Sequence, residues 1–509
     1  MKVYGKVAVF SRILPFFMLV LVSPGGSAAT INVVPGDTYS KIESALPGDQ
    51  VVIAPGTYSF RIYLNRQATP TNPIIIRALD PADPPVWDFG TNLVENAPGS
   101  YTAPDRGRGG WQFSGAKNYS LSGIVFRNCR NGSMNCAGIR YYNGTTNLYV
   151  KDCVFTQNDN GITGGTQESA ATVENCEFGT NGNVLASAAT HNLYIYGGIF
   201  NMRYCYVHDS VQAENFHIRA RNAALEYNWF ARAKSYEGDL MTDDDFSGTG
   251  PFAQAITVRG NVFVQAAAPD NHSQVFVLYN DTGLTNLTMS ARVLYNTFVG
   301  NGGTAAFVHL SNADGTQMTA EESDNIISGT TRPYLIEDTA AGAITGLNNW
   351  LQTNATAGTL TGSVRSPTPG FRNAGLQDYT LAPGSACIGA ANFSVYGLPG
   401  NEYYLNEETN RMWRIRTAAR DIGAFESTST NAPVGPYDPI PRPSLSVRTA
   451  GGTVTLGWPL FASDFQLQQS TTALPFNWVT SGFPLSTNAA QVTATPAVVG
   501  NAQLFRLRK

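Results

Sequence analysis

The sequence predicts an all-β solenoid, a stack of β-coils, and three observations carry that prediction. The first is a recurring phrase. Eight times between Gly123 and Ile327 a short run ends in an apolar residue, seven of them with Cys or Asn two places earlier: Ile124-Val125-Phe126, Cys153-Val154-Phe155, Cys176-Glu177-Phe178, Cys205-Tyr206-Val207, Asn228-Trp229-Phe230, Asn261-Val262-Phe263, Asn296-Thr297-Phe298 and Asn325-Ile326-Ile327. The second is their spacing of 29, 23, 29, 23, 33, 35 and 29 residues, too long for hairpins and too irregular for a helical solenoid. The third is composition: of 509 residues only 14% are charged and 50 are Gly, as in chains rich in turns and strands.

Residues two apart on a strand share a face, so the Asn and Phe of each phrase point inward together, and stacked coils place like residues about 4.8 Å apart. Cys then stacks on Cys and Asn on Asn. A buried Asn is costly alone, whereas a column of them passes amide hydrogen bonds from coil to coil.

The net charge of -4 with 33 basic residues, and the absence of a Lys/Arg run, argue against a nucleic-acid partner. Residues 1–29 read as a secretory signal peptide: Lys2, Lys6 and Arg12, an apolar stretch from Ile13 to Val22, then Ser27-Ala28-Ala29 at the cleavage site. That apolar run is short for a membrane span and no later one approaches about 18 residues, so the mature chain is expected to lack a transmembrane segment and to be secreted, periplasmic or held at the cell surface. A capped solenoid is expected to be a monomer. Of the six Cys, Cys153, Cys176 and Cys205 fall in the inward column and read as small buried hydrophobes. Cys129 and Cys136 either bridge a short loop or stay as two free thiols. No Cys/His spacing of a zinc site is present.

The solenoid is expected to span residues 30–426. It opens with Tyr39 to Leu46, where Ile42, Ala45 and Leu46 have helical spacing, as a capping helix over the exposed coil end. Regular coils run from about Ile74 to Ile327, with looser turns to Phe425. Residues 427–443, rich in Ser, Thr and Pro, read as a linker. Residues 444–509 alternate as in a small β-sandwich, at Leu445-Ser446-Val447, Val454-Thr455-Leu456 and Leu504 to Leu507.

Pro47-Gly48-Asp49, the strand Gln50 to Ala54 and Pro55-Gly56-Thr57-Tyr58 resemble the opening of secreted right-handed parallel β-helix proteins of the pectate-lyase-like superfamily. Arg420-Asp421-Ile422-Gly423-Ala424-Phe425-Glu426 is similar to their closing phrase. His191-Asn192-Leu193-Tyr194, His217-Ile218-Arg219-Ala220, Gly238-Asp239 and Gly260-Asn261 resemble a bacterial group with a His-Asn-x-Tyr strand, a Lys-Ser-Arg-Ala strand, an Ile-Asp strand and Gly-Asn, with His217 standing where that group has Lys. The resemblance implies a right-handed parallel β-helix in a superfamily of lyases, hydrolases, epimerases and non-catalytic adhesins, among which fold does not choose.

Register supplies a candidate site. Strands aligned on inward Ile139, Ile162, Leu193, Phe216, Leu240 and Val275 leave three outward columns: Asn192, Asn215, Asp239; Arg140, Thr163, Tyr194, His217; and Tyr142, Gly165, Tyr196, Arg219, Asp243. These residues suit β-elimination on an acidic polysaccharide. Arg219 would neutralise a uronate carboxylate through two donors, His217 would remove the C5 proton, and Tyr196 or Tyr194 would protonate the leaving oxygen, with His191 beside them. Asn192, Asn215, Arg140 and Tyr142 are the expected substrate contacts. Asp239, Asp243 and Asp244 are the expected ligands of a Ca²⁺ ion. Hydrolysis or epimerisation on the same fold, or glycan binding without turnover, are the competing readings. A hydrolytic pair of Asp239 and Asp243 would stand about 13 Å apart on an extended strand, too far for the usual carboxylate pair.

Overall fold

In the computed structural model, residues 28–100, 107–242, 252–267, 274–280, 287–302, 306–311, 317–337, 342–392, 397–404, 411–417, 419–436, 445–450, 453–459, 465–470, 478–487, 491–497 and 504–508 are described. The chain winds as a right-handed parallel β-helix with three faces. The third face is a 12-stranded parallel sheet from Thr57–Tyr58 to Val364–Ser366, built of the predicted phrases. The first and second faces belong to a 21-stranded sheet. They join because two 11-residue strands, Leu193–Arg203 and Phe216–Glu226, run through the corner between them.

Each corner into the third face is a single residue in the left-handed region. Asp152, Asn175, Tyr204, Tyr227, Tyr295 and Asp324 have φ of 49° to 58°, and each immediately precedes a Cys or Asn of the column. The turned chain aims that next side chain inward, and the expected ladder forms. Asn228, Asn261, Asn296 and Asn325 each pass an amide N–H to the Oδ1 of the next Asn at 3.0 Å, ending on Asn349. The last step reveals one further phrase, Asn349-Trp350-Leu351. Above the Asn run, backbone N–H groups of Cys153 and Cys176 point at the sulfurs of Cys176 and Cys205 at 3.4 Å. All six Cys are buried free thiols, Cys129 and Cys136 included. Beside the ladder, Phe126, Phe155 and Phe178 stack at 5.0 and 4.7 Å between ring centroids.

Four details depart from the sequence expectation. The capping helix is shorter, Tyr39–Glu43, because the Asp49 carboxylate accepts the Leu46 N–H at 2.8 Å and turns the chain. Asp239 pairs with His217 rather than Asn215, and Leu240 with Ile218 rather than Phe216, a slip of two residues. The inward partner of Phe216 is Gly238, which has no side chain to betray it; a Cβ there would lie 2.1 Å from the Phe216 ring. Leu278, not Val275, is the partner of Leu240, although Val275 is itself fully buried. Finally, among the described residues the last coil strand of the third face is Val364–Ser366. After residue 366 come two antiparallel hairpins, Phe371–Asn373 with Asp378–Leu381 and Asn401–Tyr403 with Trp413–Ile415. The stretches 411–417 and 419–426 then return along the outside of the solenoid: Arg411 donates to Asn175 O at 3.0 Å and Ala424 N donates to Thr297 Oγ1 at 3.0 Å.

The C-terminal residues form a four-stranded and a three-stranded antiparallel sheet. Residues of the expected linker reach back through a bridge between Val434 and Trp413. Among the described residues no helix is long and apolar enough to cross a membrane; the expected signal peptide lies almost wholly outside them.

Candidate functional site

The first face presents an outward column whose register is Arg140, Thr163, Tyr194, His217 and Asp239, neighbours across successive strands. Tyr196 and Arg219 pair in the adjacent column. Apolar Leu193, Ile195, Phe216 and Ile218 alternate with them and are fully buried, and that alternation fixes the outward aim of the polar set.

Asp239 and His217 meet first: Asp239 Oδ1 lies 2.8 Å from His217 Nδ1. On the other side of the ring, Arg219 Nε donates to His217 Nε2 at 2.9 Å, and Arg219 Nη1 donates to Thr242 O at 2.6 Å. A guanidinium has no acceptor, so His217 Nε2 is the bare nitrogen and Nδ1 carries the proton toward Asp239. His217 and Arg219 are each 8% exposed, and their mutual bonds satisfy groups that burial would otherwise penalise. Tyr194 stands edge-on to the His217 ring at 4.6 Å, and Tyr196 edge-on to Tyr194 at 5.2 Å.

His191 faces this group, with its ring 4.9 Å from that of His217. Its Nδ1 is 3.0 Å from Glu214 Oε2. Burial pushes the Glu214 carboxyl up, but the hydrogen bond and charge of His191 outweigh it and hold the group below its ordinary value. The structure thus brings His191, Tyr194, Tyr196, His217, Arg219 and Asp239 together.

Arg140 and Tyr142 share the first face but sit three strands away from His217, about 14 Å along the solenoid. There the Arg140 guanidinium lies 4.5 Å from the Tyr142 ring. Asn192 and Asn215 are not on the outer face. Their strands begin at Leu193 and Phe216, so the outward alternation does not reach back to them, and both are fully buried at the corner. They belong to a second ladder, in which Asn158, Asn181, Asn192 and Asn215 bond in succession at 2.9, 2.8 and 2.7 Å. Asn215 Nδ2 then donates to Glu237 Oε2 at 2.7 Å, and Glu237 ends the column. Burial raises this carboxyl to about 8.

Sequence reasoning missed Glu214, although the correct pairing of Leu193 with Phe216 already set His191 beside it. It also missed the second ladder, whose signal is an Asn three places after Phe155 and Phe178. Asp243 and Asp244 lie outside the described residues. Calcium takes six to eight oxygen ligands; among the described residues Asp239 is engaged with an imidazole, and the cluster with metal-ligand geometry is His191, Glu214 and His217. That donor set does not fit Ca²⁺.

No protein family matches the chain, and no characterised sequence matches it. Solved structures do resemble it. The pectate lyase Pel9A overlays with a TM-score of 0.48 at 16% identity, covering 79% of this chain and 98% of its own. An alginate lyase from Paenibacillus sp. str. FPU-7 gives 0.36 at 14% identity, covering 66% and 99%. The polysaccharide lyase Pedsa3628 from Pseudopedobacter saltans gives 0.38 at 15%, covering 67% and 80%.

Proposed function

We propose that this chain is an exported polysaccharide lyase that cleaves a uronate-containing polysaccharide by β-elimination. The observation that carries the reading is the run Asp239, His217, Arg219: an oriented imidazole with its bare nitrogen against a guanidinium, on the outward face of a β-helix. A uronate carboxylate offers Arg219 a better partner than a neutral imidazole, because a guanidinium binds carboxylate through two charge-assisted donors. Binding therefore draws Arg219 from His217 Nε2, and the nitrogen is uncovered only when substrate is present. His217 Nε2 then takes the C5 proton. The electron pair forms the C4–C5 double bond, the bond from C4 to the glycosidic oxygen breaks, and that oxygen takes a proton from Tyr194 or Tyr196. Water is not consumed. Arg219, facing the carboxylate, stabilises the charge that builds as the proton leaves.

Export rests on the leader-like residues 1–29, and the calcium of the sequence reading rests on Asp239, Asp243 and Asp244, of which Asp239 lies against the His217 ring. The test is product analysis on pectate, alginate and glycosaminoglycans, with and without chelator. New ultraviolet absorbance from the conjugated double bond is the expected result. Reducing ends without that absorbance would transfer the site to hydrolysis, and saturable binding without any product would make it a glycan-binding surface.

A further inference from the structure

We propose that His191, Glu214 and His217 form a binding site for a divalent transition-metal cation of the zinc class, and that the bound ion silences His217 as a base. Sequence spacing gave no zinc signature because coil stacking, not proximity in the chain, assembles these three. One ligand atom from each lies within 4.8 Å of the others, and all three residues are buried. Two imidazoles with one carboxylate suit zinc and its neighbours, which prefer nitrogen donors, and suit calcium poorly.

Ligand distances of about 2.0–2.1 Å put tetrahedral donors about 3.3 Å apart, so the widest approach must close by about 1.5 Å, a side-chain adjustment. The outer partner that such sites use is already in place: Asp239 at His217 Nδ1 fixes Nε2 as the ligating atom. Arg219 Nε holds that atom at 2.9 Å, so ion and guanidinium compete for it. The binding claim stands apart from the lyase reading; the silencing claim rests on it.

The test uses the tag-free chain stripped with chelator, titrated by calorimetry with Zn²⁺, Co²⁺ and, separately, Ca²⁺. One equivalent of Zn²⁺ is expected, with Co²⁺ giving the intense visible bands of a four-coordinate site and Ca²⁺ leaving no heat from these residues. His191→Ala and Glu214→Gln should each weaken Zn²⁺ at least about tenfold, and Asp239→Asn about 10–100-fold. Arg219→Ala, by removing the competitor, should tighten it. Absence of stoichiometric Zn²⁺ and of the Co²⁺ bands overturns the site, as does equal binding by the His191 and Glu214 variants with wild-type melting behaviour. Where those variants do not fold, the wild-type Co²⁺ spectrum and the Arg219→Ala affinity decide. Full uronate cleavage with Zn²⁺ bound removes the silencing alone; Zn²⁺ binding by a protein that cleaves nothing leaves the site standing and removes the lyase reading.

Discussion

Arg219 donates through Nε to His217 Nε2 at 2.9 Å while its Nη1 donates to Thr242 O, so one side chain ties the imidazole to the adjacent coil just past the strand Gly238–Met241. Lys offers a point charge and cannot make both bonds in that geometry. Arg219→Lys should therefore lower kcat/KM on the cleaved uronate polymer about 10–100-fold, the loss of one or two charge-assisted hydrogen bonds. Nitrogen-15 spectra of the wild-type imidazole should show His217 protonated at Nδ1 and bare at Nε2. An Nε2–H signal would remove the base assignment.

Asp239 holds the other end of the same ring at 2.8 Å. With Asp239→Asn the side chain can donate to Nδ1 and turn the imidazole to the opposite tautomer, leaving its proton where the base must be. The expected loss is about 10²–10⁴-fold in kcat with little change in KM. A drop confined to KM would make Asp239 a substrate contact instead.

Glu237 gives stability a pH dependence of known sign. Burial raises its carboxyl from 4.5 to about 8 in the folded chain, so between those values the folded state holds a proton that the unfolded state has lost. Its favourable contribution is complete below about pH 4.5, declines as pH rises, and levels off above about 8, at no more than about 1.4 kcal/mol per pH unit. Urea midpoints at pH 5, 7 and 9 should fall along that series in the wild type and fall less in Glu237→Gln. Parallel curves for the two proteins would show that Glu237 is ionised throughout.

The fold was legible because an inward apolar residue, preceded two places earlier by Cys or Asn, recurs on successive coils from Cys153 to Ile327, and burial of a repeated position writes itself into sequence. The site was legible where Leu193 and Phe216 set the register, which placed Tyr194 over His217 and Tyr196 over Arg219. It failed at Asp239, because the strand that carries it is anchored inward by Gly238, whose space the Phe216 ring fills. It failed at Asn192 and Asn215 for a different reason. Alternation describes a strand, and these two residues sit on the corner before it, where the chain direction changes and an outward parity becomes an inward one.

The Asn ladder should be strongest at its middle. Asn261 accepts from Asn228 N and Nδ2 and donates to Leu225 O and Asn296 Oδ1, at 2.8 to 3.0 Å. Asn261→Ala strands several buried polar groups at once and should cost about 3 kcal/mol or more. Asn349, at the end of the run, accepts from Asn325 N and Nδ2 in the same way, but its amide donates to Glu322 O and to no further Asn among the described residues, so Asn349→Ala should cost less. Denaturant midpoints of the two variants compare them directly, and equal losses would mean that the bonds do not act as a column.

Gly165 is where the site depends on an absent side chain. Its φ is +129°, and a Cβ there would fall 1.5 Å from the carbonyl oxygen of Tyr196 on the next coil. Neither the dihedral nor the contact can relax without moving the backbone that carries Tyr196. Gly302 is the control, since its φ is +85° but a Cβ there meets nothing within 4 Å. Strain at such dihedrals costs about 1–3 kcal/mol, which Gly302→Ala alone should show. Gly165→Ala adds a clash with backbone and should cost several kcal/mol more, seen as a much lower melting temperature and a loss of activity out of proportion to the folded fraction. If the two variants melt alike, the coils at Gly165 and Tyr196 are farther apart than the parallel register places them.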